Sequence, residues 1–137
     1  EQEGGAVGEK DTILHYKDGV WSQVPLITDQ RVDLKKVEMI NATEGWAVGG
    51  RMFLRYQNGH WEEITLPQDD LSFSTMSMLS ADEGWLVSNK GFVHYKNGQW
   101  DILDEPPIWT GVSAMQLLNE NEGWAVGGRG ILHYTDK

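Results

Sequence analysis

A unit of about 39 residues repeats along this chain, and few architectures accept such a period. Glu44-Gly45-Trp46-Ala47-Val48-Gly49-Gly50 returns as Glu83-Gly84-Trp85-Leu86-Val87-Ser88-Asn89 and again as Glu122-Gly123-Trp124-Ala125-Val126-Gly127-Gly128, with a worn copy at Gly4-Gly5-Ala6-Val7-Gly8. Each copy leads into an apolar residue, an aromatic and a tight turn: Leu14-His15-Tyr16-Lys17-Asp18-Gly19-Val20-Trp21, Leu54-Arg55-Tyr56-Gln57-Asn58-Gly59-His60-Trp61 and Val93-His94-Tyr95-Lys96-Asn97-Gly98-Gln99-Trp100. The last copy runs only to Leu132-His133-Tyr134-Thr135-Asp136-Lys137, and Tyr16, Tyr56, Tyr95 and Tyr134 are spaced by 40, 39 and 39 residues.

Turn chemistry identifies the unit. Asp18-Gly19, Asn58-Gly59 and Asn97-Gly98 interrupt runs rich in Val, Ile, Leu, Tyr and Trp, and both central residues of a type I′ hairpin turn need positive φ, which Asn, Asp and Gly supply. A two-residue turn fixes the register, so Tyr16 should face Trp21, Tyr56 Trp61 and Tyr95 Trp100 on one side of a sheet. Leu34–Ile40, Phe73–Leu79 and Val112–Leu118 read as first strands, the Gly-Trp-Ala-Val segment as the second, Leu-His-Tyr as the third, and the segment from the turn-flanking Trp as the fourth. No segment keeps a helical period. Four antiparallel strands in about 39 residues predict an all-β chain of propeller blades, at 4–33 (partial), 34–72, 73–111 and 112–137 (partial). A β-solenoid needs shorter rungs.

The pattern Gly-Trp-Ala-Val-Gly-x-x-Gly-x-Ile-Leu-His, read across Gly123–Tyr134 and joined to Tyr16–Trp21, resembles the sialidase-like (BNR, Asp-box) repeat propellers. Within them it is most similar to the photosystem II stability and assembly factor-like proteins. It departs from a full Asp-box, Ser/Thr-x-Asp-x-Gly-x-Thr-Trp, in having the shorter Tyr-x-Asp/Asn-Gly-x-Trp with no hydroxyl residue. The resemblance implies a non-catalytic binding or assembly scaffold and favours an extracytoplasmic or secreted setting. The arginine triad, Tyr/Glu nucleophile pair and acid Asp of true sialidases have no counterparts to assign.

Six tryptophans, Trp21, Trp46, Trp61, Trp85, Trp100 and Trp124, hold repeated strand positions and are expected in the core between blades, with sugar stacking as the alternative. Trp109 is off the repeat, in Asp104-Glu105-Pro106-Pro107-Ile108-Trp109-Thr110-Gly111, where a ligand contact and a loop anchor are equal readings. His15, His94 and His133 fall at one position of three copies, which separates them instead of converging them on a metal. No Ser/His/Asp set, His-Glu-x-x-His or P-loop is present, and no acid pair stands out from the repeat. No enzyme, cofactor or metal is expected.

Charge supplies the partner expectation. Eleven Lys and Arg against 21 Asp and Glu give a net charge of −10, which disfavours nucleic acid and anionic membrane surfaces. Without cysteine there is neither a disulfide framework nor a thiolate site, and no apolar run approaches the ~18 residues of a membrane helix. Successive hairpins alternate ends, so Glu44, Glu83 and Glu122 predict an acidic ring on one face. Lys10, Arg51, Lys90 and Arg129, in the second-to-third turns, predict a cationic ring on the other. That second face also carries the interblade loops Ile27–Asp33, Pro67–Ser72 and Asp104–Gly111, and therefore Arg31 and Trp109. Solvated turn charge is the plain reading. The functional one is a face formed by Lys10, Arg31, Arg51, Lys90, Trp109 and Arg129 that docks a protein partner, with a glycan ligand as the alternative.

The period gives 3 + 4 + 4 + 3 = 14 strands, a half-integral run of blades. A ring completed by a second copy is the expectation, since open blade faces and edges invite association. The start at Glu1, without Met or a leader, is what a processed, excised or engineered piece would show, and a repeat fragment with no ligand is a further reading.

Overall fold

The computed structural model describes residues 3–10, 12–25, 32–103 and 111–135. Among them the chain is all-β, with fourteen strands in four antiparallel sheets and no helix, hence none long and apolar enough to cross a membrane. Two compact units divide it, Glu1–Asp69 and Asp70–Lys137.

The first unit holds a three-stranded sheet, β1 (Glu3–Gly8), β2 (Thr12–Lys17) and β3 (Val20–Val24), and a four-stranded one, β4 (Lys36–Asn41), β5 (Glu44–Gly49), β6 (Met52–Gln57) and β7 (His60–Glu63). The second holds β8 (Phe73–Met78), β9 (Glu83–Ser88), β10 (Gly91–Lys96) and β11 (Gln99–Ile102), then β12 (Val112–Asn119), β13 (Glu122–Gly127) and β14 (Gly130–Thr135). Strands are adjacent in chain order in every sheet, the meander of a propeller blade.

The hairpin turns form as their residues dictate. Asp18, Asn58 and Asn97 have φ of 48°, 49° and 51°, and the glycines after them 91°, 92° and 80°. The register is the expected one, Tyr16 opposite Trp21, Tyr56 opposite Trp61 and Tyr95 opposite Trp100. Ring centroids in these pairs lie 5.2, 5.2 and 5.0 Å apart.

In the first unit, alternation along the strands turns Val7 and Ile13 of one sheet toward Ala47 and Leu54 of the other, and Leu34, Met52, Val37 and Trp61 complete the core. The glycine that replaces tryptophan in the worn repeat is explained here. A Cβ on Gly5 would stand 3.4 Å from Val37 Cγ2 and 3.8 Å from Met39 Cγ, so the second sheet already fills the space that an indole would need. Gly49 ends β5 where the incoming chain crosses, and a Cβ there would collide with the Asp33 carbonyl oxygen. Gly127 has the same relation to the Gly111 carbonyl.

In the second unit, Val87, Trp85 and Phe92 of one sheet meet Met115, Ala125 and Leu132 of the other. Ser77, 3% exposed, accepts the Leu117 N–H at 2.8 Å, and Ser74 Oγ donates to the Val112 carbonyl at 3.2 Å. Two side-chain hydrogen bonds thus link the sheets where an apolar seam alone would leave register loose.

The tryptophan expectation needs correction. Trp46 is 1% exposed, but Trp21 is 53% and Trp124 45% exposed. Trp21 lies on the face of its sheet turned away from β4–β7, and Trp124 on the face turned away from β8–β11. No described sheet covers either face. Repetition in sequence therefore does not carry repetition of environment.

Candidate functional site

The second-to-third turns stand at the ends of the sheets where the chain enters from the preceding blade, as alternating hairpins require. In the first unit, Lys10 is exposed in the turn after β1 with φ of 54°, and its N–H donates to Asp33 Oδ1 at 3.2 Å. Arg51 is exposed between β5 and β6. In the second unit, Asn89 and Ser72 exchange hydrogen bonds of 2.9 Å, and Asn89 Nδ2 donates to the Asp70 carbonyl, which brings the Lys90 ammonium to 2.8 Å from Asp70 Oδ1. Arg129 is exposed between β13 and β14.

The four turn cations are thus not equivalent. Lys90 is held by a carboxylate, an exposed pair of the kind worth ~0–1 kcal/mol. Arg51 and Arg129 make no ion pair with a described residue and keep their charge available to a partner. Arg31 and Trp109 lie outside the described residues. No group of three or more metal-ligating side chains stands together among the described residues.

At the opposite sheet ends the glutamates do not form the expected uncompensated ring. Each faces a cation or imidazole from the third strand. Glu3 meets His15 at 3.5 Å and Lys17 at 3.6 Å, and Glu44 meets Arg55 at 3.8 Å. In the second unit Glu83 meets His94 and Lys96, both at 3.1 Å, and Glu122 meets His133 at 3.2 Å. The third-strand residue also lies on the motif tryptophan. His94 stacks on Trp85 at 4.5 Å between centroids, His133 on Trp124 at 4.0 Å, and Arg55 sits 5.1 Å over Trp46. A repeated Glu, His/Arg, Trp ladder results. Its sequence signal was the constant eleven-residue step Glu44 to Arg55, Glu83 to His94 and Glu122 to His133, visible once Arg55 is taken with the histidines.

In this ladder Glu83 is held below its ordinary pKa, first by the hydrogen bond from Lys96, against an upward push from desolvation, and with further help from His94. The arrangement is an ordering device for the blade end. It places no nucleophile beside a base and gathers no second acid, so its chemistry is electrostatic support.

No protein-family model matches this chain, and no curated protein matches it. Solved structures do. The chain is similar to YCF48 bound to a D1 peptide, at 25% identity and a TM-score of 0.62 over 75% of this chain and 36% of that one. It is similar to YCF48 from Cyanidioschyzon merolae at 26% identity and a TM-score of 0.64, over 83% of this chain and 37% of that one. Virginiamycin B lyase from Staphylococcus aureus matches at 12% identity and a TM-score of 0.62 over 96% of this chain and 54% of that one, a likeness of fold alone. The chain spans little more than a third of the length of the YCF48 chains it matches. Together these neighbours show that the fourteen strands have a β-propeller fold.

Proposed function

We propose that this chain is a protein-binding or assembly scaffold that docks a partner through its second-to-third turns. The observation that carries the reading is the likeness to YCF48, a neighbour whose structure holds a D1 peptide. Each unit offers an exposed arginine in such a turn, Arg51 or Arg129, inside a chain whose net charge is −10. A local cation in an acidic protein selects an acidic partner segment and orients its approach. Lys10 and Lys90 set the turn shapes through Asp33 and Asp70, and Arg31 and Trp109 belong to the same loops in sequence. The sialidase-like repeat assignment and completion of the ring by a second copy are part of this reading, the latter supported by the open faces that carry Trp21 and Trp124.

The test uses the D1 peptide as probe and biolayer interferometry as readout. Binding is expected to weaken as salt rises from ~50 to ~300 mM. Arg51→Glu with Arg129→Glu should weaken it about tenfold or more, as loss and reversal of interface charge does. Absence of binding, or binding indifferent to both changes, overturns the proposal.

A further inference from the structure

Tyr134 has lost the partner that every equivalent tyrosine keeps. Tyr16, Tyr56 and Tyr95 each face a tryptophan one strand further on, supplied by β3, β7 and β11. In the last sheet β14 pairs with β13 on one edge and with no described strand on the other. Tyr95, under Trp100, is 3% exposed, whereas Tyr134 is 43% exposed.

Beside Tyr134 lies a cavity of about 330 Å³, bordered by Trp85 and Phe92 of one sheet and Leu117, Leu132 and Tyr134 of the other. Its place in the repeat is informative. In the first unit Trp61, opposite Tyr56, turns into the space between the two sheets and packs on the core that contains Ile13 and Leu54. By the same register, the residue opposite Tyr134 on an added strand points into this cavity. The size falls within the ~300–1,000 Å³ of sites that take small ligands, and the lining is mainly apolar and aromatic.

We infer that the open edge of β14 and this cavity form a docking site for an extended peptide segment bearing a tryptophan, added as a fourth strand. Main-chain hydrogen bonds along β14 would give the affinity, and the indole seated between Trp85, Leu132 and Tyr134 the selectivity, as in strand-addition recognition. The chemistry of the occupant is written in the chain's own fourth strands, His60-Trp61-Glu62-Glu63 and Gln99-Trp100-Asp101-Ile102: a tight turn, a polar residue, tryptophan, then an acid. The site is distinct from the arginine-bearing turns, and its test leaves those turns unaltered.

The experiment titrates the intact chain with a fluorescein-labelled synthetic peptide of sequence 97–103, Asn-Gly-Gln-Trp-Asp-Ile-Leu, read by anisotropy. Saturable binding is expected, weakened about tenfold or more in the peptide with Trp100→Ala, because a buried aromatic anchor dominates such contacts. Leu117→Trp, which fills the cavity from within, should abolish it. Tyr134→Ala, at a half-exposed position that the fold tolerates, should weaken it with the far-UV circular dichroism unchanged. Equal binding of the two peptides, or binding indifferent to both protein variants, overturns the proposal. So does efficient disulfide formation between two Thr135→Cys chains, which would show β14 pairing with its own copy; the absence of native cysteine makes that cross-link unambiguous.

Discussion

His94 lies nearly flat on Trp85, with ring centroids 4.5 Å apart and planes 17° from parallel, while its Nε2 reaches Glu83 Oε1 at 3.1 Å. One side chain thereby joins the apolar layer between two sheets to the charged end of a blade.

Acid sensitivity follows from the carboxylate in that ladder. Lys96 first, then His94, keep Glu83 ionised at pH values where the unfolded chain would already have bound the proton. A lowered carboxyl pKa contributes stability above the unfolded value, and that contribution is lost as pH falls through the native value. Urea unfolding between pH ~6 and ~3 should therefore show a shallower acid decline for Glu83→Gln than for the wild type, across the ordinary carboxylate range. Parallel curves would remove Glu83 from the account.

Two glycine replacements should fail for different reasons. Nothing lies within 4 Å of a Cβ built on Gly59, so Gly59→Ala pays only for positive φ, about 1–2 kcal/mol in denaturant midpoint analysis. Gly49→Ala drives a methyl into the Asp33 carbonyl and should cost more, ~2 kcal/mol or above, with loss of the chain crossing at Leu34. If Gly59→Ala proved the worse of the two, the close backbone approach at Gly49 would be misjudged.

The same repeat position should answer differently in two copies. Trp46→Ala removes a side chain that is 1% exposed and stacked on Phe53 at 4.5 Å, and should cost ~3–5 kcal/mol. Trp124→Lys changes a residue that is 45% exposed and should leave stability within about 1 kcal/mol while raising solubility. Thermal melts of the pair decide it, and equal losses would mean that Trp124 is covered.

A double-mutant cycle on Tyr56 and Trp61 should return a coupling of ~0.5–1.5 kcal/mol, the range for aromatic pairs beyond their area burial. The Tyr16 and Trp21 pair has nearly the same geometry, 5.2 Å and 48° against 5.2 Å and 45°, and should couple alike. The single change Trp21→Ala should nonetheless cost less than Trp61→Ala, because Trp61 also packs on the core and Trp21 does not.

What could be read from sequence was what local chemistry decides. Asn58-Gly59 and its equivalents fix a turn, the turn fixes the register of Tyr56 with Trp61, and the register fixes the blade. Tryptophan burial was not legible, because whether Trp46 or Trp124 is covered depends on which sheet lies against that face, a property no repeat unit contains. The glutamates were misread as a ring since Glu83 and His94 sit on neighbouring strands two residues out of direct opposition, Glu83 facing Lys96 and His94 facing Trp85. Of the turn cations, Lys90 could not be known to meet Asp70 before the interblade segment was seen to hydrogen-bond through Asn89.

Gly5 carries one more implication. With Val37 and Met39 pressed against it, the first copy has no room for the indole that its three sister copies bear. The copies are consequently not interchangeable parts. Shuffling their order, or restoring Gly5 to the consensus tryptophan, should harm the protein, and the apparent erosion of the first repeat is better understood as adaptation to its address in the chain.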